Sequence, residues 1–578
     1  MNPIETYHRW KNIPDPRLAR ELAEIEKDPR QIVERFGTPL SFGTGGLRGL
    51  MGAGENRMNI YTVARATQGY ARYLRSRFSQ PAVAIAYDSR LLSQDFAQTA
   101  AQVLAANGIQ AYLFSEIMPT PILSFTVRHL GLSGGIVITA SHNPAPYNGY
   151  KIYGPDGGQI TQEAARDIKA QIDEVDLLRG IRRVSLEQGK ADGRIAFLGR
   201  EVTDAYLDAV LSQSLLPPQR GRGVPIVYSP LHGAGFSWVT QALGRAGFDQ
   251  VTVVPSQAGP DGNFPTCPKP NPEEAQAMEE GIRWARKLGA DLVIATDPDC
   301  DRVGAAVRQG ADFLLLSGNQ VGALLLDFLC RRRQEMGTMP ERPVAMKTIV
   351  TTEMAQAICD GYGVRLQNVL TGFKYIGEQL SLLEGRGEEE RFLFGMEESC
   401  GYLTGTAVRD KDGVLGSLLI CQMFCDYRGR GMTLMDGLAE LSARFGAFVD
   451  TQQTMAFEGA EGAGQMERLM DALRQNPPDI LCGRRILWNA DYKAGVRRTA
   501  AGEKSPTGLP SSNVMRFCYE GGVTITVRPS GTEPKLKIYY SLRGDTLAEA
   551  QALEAQCRAA FGNILARLAA GRTRPRPS

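Results

Sequence analysis

The chain has 578 residues, of which 43% are apolar and 22% charged, and its formal charge is +2. That length gives room for roughly four domains of ordinary size, each with its own core. The near-neutral balance, with no basic stripe, excludes a nucleic-acid binder held by charge, and no apolar run reaches the roughly 18 residues of a membrane span.

The first ten residues, Met1 to Trp10, are amphipathic and charged and lack the apolar core of a signal peptide, so a cytoplasmic protein is expected. The ten cysteines begin only at Cys267 and include no C-x-x-C pair, which points to reduced thiols rather than a zinc site. Cys421 and Cys425 fall in an apolar helical pattern and are expected to pack.

In chain order, residues 16–37 read as helical, with Pro39 ending the run. Ala82–Tyr87 reads as a strand that leads into Asp88-Ser-Arg90, and a helix is expected over Ser93–Asn107. The β-branched run Ile136–Ile138 then stops at Thr139-Ala-Ser-His-Asn-Pro144. Pro144 bars Asn143 from helical geometry, so the segment must turn, holding a serine at its tip beside a histidine and ten residues before Lys151. A hydroxyl presented in this way suits carriage of a phosphoryl group, and a capped turn would use the same residues.

After a linker at Gly221–Pro225, the strand–loop–helix scheme repeats from Ile226 to Gly235 and again from Val344. Between these, the apolar strand Asp291–Thr296 runs into Asp297-Pro-Asp-Cys-Asp301-Arg302. Three carboxylates within five residues need a cation, and an all-oxygen set suits Mg²⁺. Alternation turns Cys300 away from the ion; an acidic turn with aspartate caps is the plainer reading. Strand-like Arg391–Phe394 precedes Gly395-Met-Glu-Glu-Ser-Cys-Gly-Tyr402, where Glu397 and Ser399 share a face if the segment is extended and would grip neighbouring hydroxyls; a capped helix start would look similar. Arg409-Asp-Lys411-Asp-Gly413 adds charge around a tight turn.

The texture changes near residue 450, and Gly502–Ser512 is rich in Gly, Pro and Ser. Two strands, Val523–Thr526 and Leu536–Tyr540, flank Arg528-Pro-Ser-Gly-Thr-Glu-Pro-Lys535, whose arginine, two hydroxyls, glycine and lysine suit a phosphate cradle, although a plain hairpin would also serve. The tail from Arg572 to Ser578 reads as disordered.

These four loops, in this order, resemble the α-D-phosphohexomutase superfamily over nearly the whole chain. The Phe42–Gly49 motif and the length are most like its long bacterial phosphoglucomutase branch, which includes phosphopentomutase-like proteins. The resemblance implies three related α/β domains with mixed sheets and a C-terminal α+β domain around a central cleft. The expected division is a helical extension 1–40, then 41–205, 206–315, 316–449 and 450–571, with the tail 572–578.

It further implies Ser141 as a phosphorylated nucleophile and Mg²⁺ held by Ser141, Asp297, Asp299 and Asp301. Arg48, His142, Lys151 and Lys411 are expected at the reactive centre, where the sequence leaves the proton-transfer group open between Lys151 and Lys411. Substrate contacts are expected from Arg302, His232, Lys374, Glu397, Ser399, Arg528, Ser530, Gly531, Thr532 and Lys535. The implied reaction interconverts glucose 1-phosphate and glucose 6-phosphate through glucose 1,6-bisphosphate, with mannose or pentose phosphates as alternatives and a non-catalytic sugar-phosphate binder as a distant one. Partners are then small sugar phosphates, with no nucleic acid and no membrane, and the protein is a monomer or weak homodimer. Cys300 and Cys400, where the family usually differs, raise the expectation of some sensitivity to thiol oxidation.

Overall fold

A computed structural model describes residues 2–457, 462–530 and 535–569. Three short helices open the chain, Pro3–Trp10, Pro16–Ile25 and Pro29–Phe36. Each begins with proline behind an Asn or Asp whose side chain accepts from the first-turn amides, which sets three separate starts within a few residues. Trp10, Leu22 and Phe36 make their shared core and pack on Tyr61 and Ala53 of the following unit.

Three mixed α/β sheets come next. In the first, the order is Leu47–Leu50, Tyr147–Tyr153, Gly134–Ile138, Ala82–Tyr87, Gln110–Leu113, Ile195–Phe197. The second runs Asp312–Leu316, Val303–Gln309, Leu292–Thr296, Ile226–Ser229, Val251–Val253, and the third Arg365–Val369, Val344–Thr348, Phe392–Glu397, Gly401–Leu403. All three share a plan: a first strand pairs in parallel with two neighbours, and the chain leaves the end of one neighbour to return antiparallel. The central strands are buried on both faces, as parallel strands covered by helices must be. A helix, Arg200–Leu211, runs across the expected junction at residues 205/206.

The last sheet is antiparallel throughout and begins at Ala447. Helices Gly462–Gln475 and Leu547–Ala569 cover one face, with Met470, Leu473, Phe561 and Leu565 against Phe517, Ile525, Ile538 and Tyr540. Among the described residues no helix is long and apolar enough to cross a membrane. The predicted tail, 572–578, lies outside the described residues.

A buried charge cluster joins the third and fourth sheets. Lys347 is fully buried; its ammonium donates to Glu353 at 2.9 Å and to the Thr351 carbonyl at 3.0 Å. Arg516, on the strand Met515–Tyr519, reaches the same Glu353 carboxylate. Burial works against ionising Glu353, but Lys347 and Arg516 outweigh it and hold the carboxyl at about 2. Glu353→Gln removes the carboxylate that binds both Lys347 and Arg516 and is expected to cost about 3 kcal/mol, read as a lower urea midpoint. Because the folded carboxyl titrates below its ordinary 4.5, this contribution is present above that value and lost as pH falls toward about 2. Equal midpoints for the variant and the parent at neutral pH would rule out the contribution.

Candidate active site

In each α/β sheet the chain turns back after the same strand, and each turn carries one of the sequence motifs. The strand Gly134–Ile138 ends before Ser141, Leu292–Thr296 before Cys300, and Phe392–Glu397 before Cys400. All three residues have left-handed backbones, φ 52°, 51° and 60°. A non-glycine residue in that region costs about 1–3 kcal/mol and persists only where its surroundings enforce it. The turns are at strand carboxyl ends, where α/β sheets bind ligands.

The turns also bond to one another. The Val303 amide donates to the Cys400 carbonyl and the Gly413 amide to the Cys300 carbonyl, both at 3.1 Å. A side chain at residue 413 would meet the Cys300 carbonyl oxygen at 2.6 Å, so only glycine allows that approach. At Gly401, a Cβ would strike the Lys411 and Glu397 side chains, so this glycine lets Lys411 cross the third turn.

Ser141 is 3% exposed, and its hydroxyl donates to Asp297 Oδ2 at 2.7 Å. His142 Nδ1 lies 3.1 Å from Ser141 Oγ. Burial and the cations Arg302 and Arg48 keep the His142 imidazole neutral, well below its usual range. Arg48, on the strand Leu47–Leu50, donates to Asn143 Oδ1 at 3.3 Å.

Asp297, Asp299 and Asp301 are buried and offer one oxygen each within 4.8 Å of one another. Burial and mutual repulsion push Asp297 and Asp301 upward, which is the electrostatic signature of carboxylates that need a cation. Asp299 Oδ1 and Asp301 Oδ1 are buried without a hydrogen-bond partner among the described residues, so donor atoms remain free for an ion. An all-oxygen set with the Ser141 oxygen beside it fits Mg²⁺.

Cations close the other side. Lys151 Nζ is 3.0 Å from Asp299 Oδ2 and 3.7 Å from Asp301 Oδ2, and Lys411 Nζ is 2.9 Å from that same Asp301 oxygen. Burial opposes the charge on Lys411, but Asp301, Asp410 and Glu397 outweigh it and hold the amine protonated. Arg302 donates to the Ser399 carbonyl at 3.3 Å and faces Glu273 at 3.8 Å. Thr120, opening the helix Thr120–His129, donates its amide and hydroxyl to Asp299.

A groove of about 780 Å³ joins this centre to the last sheet, lined by His142, Arg302, Glu397, Ser399, Arg528 and Lys537 among others. Ser399 reaches it from a turn rather than from an extended strand, because the strand stops at Glu397. Arg528 and Lys537 stand opposite each other on paired strands, an arrangement of like charges that calls for an anion between them. Ser530 and Lys535 close the strand ends beside them, the Ser530 amide donating to the Lys535 carbonyl at 2.7 Å. Gly531 and Thr532 lie outside the described residues.

Glu397 is buried, and burial raises its carboxyl to about 7 despite Lys411 and Arg302. If the ionised form grips sugar hydroxyls, kcat/KM falls as pH drops through about 7, and Glu397→Gln flattens that limb. An unchanged limb in the variant would remove Glu397 from this role.

His232 and Lys374 do not line the groove. His232 spends both ring nitrogens internally, 3.2 Å from the Gly259 carbonyl and 2.9 Å from Thr266 Oγ1, which knits its own loop together. Lys374 lies in a separate cavity of about 290 Å³ with Tyr70, Tyr153 and Glu378, where burial lowers its amine to about 8 against Glu378. All ten cysteines are free thiols, and Cys300, Cys400, Cys421 and Cys425 are buried. Burial shields Cys300 and Cys400 from the oxidation that their positions in the sequence suggested.

Sequence reading missed Glu273, Thr120 and Lys537. Of these only Lys537 left a signal, its alternation with Lys535 on one strand face.

Comparison with known proteins covers the same regions. Models described as phosphoglucomutase/phosphomannomutase alpha/beta/alpha domains I, II and III match residues 39–179, 204–310 and 317–445, and the C-terminal domain of that family matches 487–560. A phosphoglucomutase of Staphylococcus epidermidis is 36% identical over 540 residues, covering 93% of this chain and 97% of its own. That of Staphylococcus haemolyticus is 37% identical over 542 residues, with the same coverage. In fold, the chain is similar to a phosphoglucomutase/phosphomannomutase family protein of Burkholderia thailandensis, with TM-score 0.65, 18% identity and coverage of 90% and 97%. The open form of pp63/parafusin from Paramecium gives TM-score 0.63 and 15% identity, covering 94% and 98%.

Proposed function

The chain belongs to the phosphoglucomutase/phosphomannomutase family, and we propose on that premise that it interconverts glucose 1-phosphate and glucose 6-phosphate. The observation that carries this reading is the meeting of a strained serine, a buried carboxylate triad and a cationic pair across one groove.

The two sugar oxygens are too far apart for one direct hop, so Ser141 carries the phosphoryl group. Transfer to the free sugar hydroxyl breaks the Ser141 Oγ–P bond and forms a sugar O–P bond, giving glucose 1,6-bisphosphate. The hydroxyl proton leaves through Lys151, because Lys411 is held protonated by its carboxylate neighbours and serves as a fixed positive charge, and Ser141 Oγ takes a proton back. The bisphosphate turns over, and its other phosphoryl group returns to Ser141 while the released sugar oxygen is protonated. Asp297, Asp299 and Asp301 would hold Mg²⁺, which when bound offsets the charge of the transferring group.

His142 orients the serine hydroxyl, while Arg48 and Arg302 add positive charge where it is needed. Glu397 and Ser399 grip the sugar, and Arg528, Ser530, Lys535 and Lys537 receive the phosphate that is not reacting, together with Gly531 and Thr532 of the same sequence motif. Only a grip that tolerates both orientations of the bisphosphate supports turnover. Free, mostly buried thiols suit a cytoplasmic enzyme acting on small sugar phosphates as a monomer or weak homodimer.

A Mg²⁺-dependent coupled assay primed with glucose 1,6-bisphosphate tests the assignment by comparing glucose, mannose and ribose 1-phosphates at matched concentration. Preferred conversion of glucose 1-phosphate is expected. Preference for the pentose or mannose phosphate would keep the chemistry and overturn the substrate.

A further inference from the structure

We propose that Arg90, which no motif of the reaction includes, is the positioning residue for the Ser141 nucleophile. The inference rests on the reading of Ser141 given above. Arg90 follows the strand Ala82–Tyr87 and is 3% exposed. Its Nη2 donates to the carbonyls of Ser141 and Asn143, and its Nη1 to those of Pro144 at 3.0 Å and Tyr147 at 3.1 Å. One guanidinium thus gathers four backbone carbonyls of the nucleophile turn. Its remaining edge faces Asp88 Oδ2 at 3.3 Å, and its plane lies 5.0 Å from the Phe264 ring, which belongs to the second α/β unit.

Asp88 completes a closed circuit. It accepts from Ser93 Oγ at 2.8 Å and from Thr139 Oγ1 at 2.6 Å, and Thr139 Oγ1 in turn accepts the Ser141 amide at 2.8 Å. Both sides of Ser141 are therefore fixed: its N–H through Thr139 to Asp88, its C=O to Arg90, and Asp88 to Arg90. That circuit supplies what a left-handed serine needs to persist. With the carbonyls turned inward to the guanidinium, Oγ is left facing Asp297. Lysine cannot replace this, because a single ammonium lacks the fixed fork that reaches four acceptors. Arg90 lines no part of the groove, so it acts through the turn rather than on substrate.

Dephosphorylated protein is incubated with glucose 1,6-bisphosphate, and phosphoserine formation is followed by intact mass and mapped to Ser141, alongside steady-state kinetics. In Arg90→Lys, the phosphorylation rate and kcat are expected to fall together by about 100-fold, the cost of a misplaced reacting atom, with KM for glucose 1-phosphate nearly unchanged. In Arg90→Ala, millimolar guanidinium is expected to restore part of that rate without moving the melting midpoint. Wild-type rates in Arg90→Lys, a loss confined to KM, or a loss that guanidinium does not relieve would each overturn the proposal. Parent protein that takes up no phosphate on Ser141 would overturn the nucleophile assignment and the clamp with it.

Discussion

Replacing Ser141 by alanine is expected to lower mutase turnover by at least about four orders of magnitude, because a nucleophile that forms a covalent intermediate has no substitute within reach. The neighbouring groups cannot take over: the His142 imidazole is buried beside the serine, and Asp297 faces the other carboxylates. Folding should be untouched. The variant removes the 3.1 Å contact with His142 and one hydrogen bond at 2.7 Å to a carboxylate that also accepts the Asp301 and Arg302 amides at 3.2 and 3.0 Å. An unchanged melting midpoint with lost turnover is therefore the expected pair of results. Appreciable turnover in Ser141→Ala would mean that phosphate moves without passing through this residue.

The second large effect concerns the triad. Chelation is expected to abolish activity and Mg²⁺ to restore it, and Asp299→Asn should lose activity that no Mg²⁺ concentration in the assay recovers. The structural readout is independent of turnover. An ion that binds only the folded state adds about 2.7 kcal/mol at a hundredfold excess over its Kd, so Mg²⁺ should raise the melting midpoint of the parent protein. In Asp299→Asn the shift should shrink or vanish, because one of three oxygens within 4.8 Å has lost its charge. Asp299 is the most telling choice of the three: it keeps a free buried oxygen while its other oxygen is held by Lys151 and Thr120. An equal thermal shift in parent and variant would place the ion elsewhere.

The candidate site was legible in the sequence because its parts are contiguous. Ser141 with Asn143 and Pro144, the three alternating aspartates and Arg528 to Lys535 are each a local run whose chemistry shows without a fold. The repeated strand–loop–helix openings were legible as well, since buried parallel strands have a plain apolar signature. What the sequence hid is set by contacts between distant segments. Arg90 and Tyr147 are 57 residues apart, Glu353 and Arg516 are 163, and nothing in either neighbourhood marks them as partners.

Local conformation was the other blind spot. In the sequence, Glu397 and Ser399 share a face only if the segment is extended, or else start a capped helix, whereas the strand ends at Glu397 and a left-handed Cys400 turns the chain. A left-handed cysteine or serine has no sequence signal, because the preference belongs to glycine and asparagine. His232 shows the same limit from the other side: its motif suggested a ligand contact, and its two ring nitrogens are taken up by Gly259 and Thr266.

The most direct test of a serine-borne phosphoryl group is a single-turnover chase. Protein phosphorylated on Ser141 with labelled phosphate is mixed with a slight excess of unlabelled glucose 1-phosphate and Mg²⁺ and quenched over time. Label should leave the protein for glucose 1,6-bisphosphate within the first turnover and then appear in glucose 6-phosphate. Formation of glucose 6-phosphate while the label stays on Ser141 would contradict the mechanism outright.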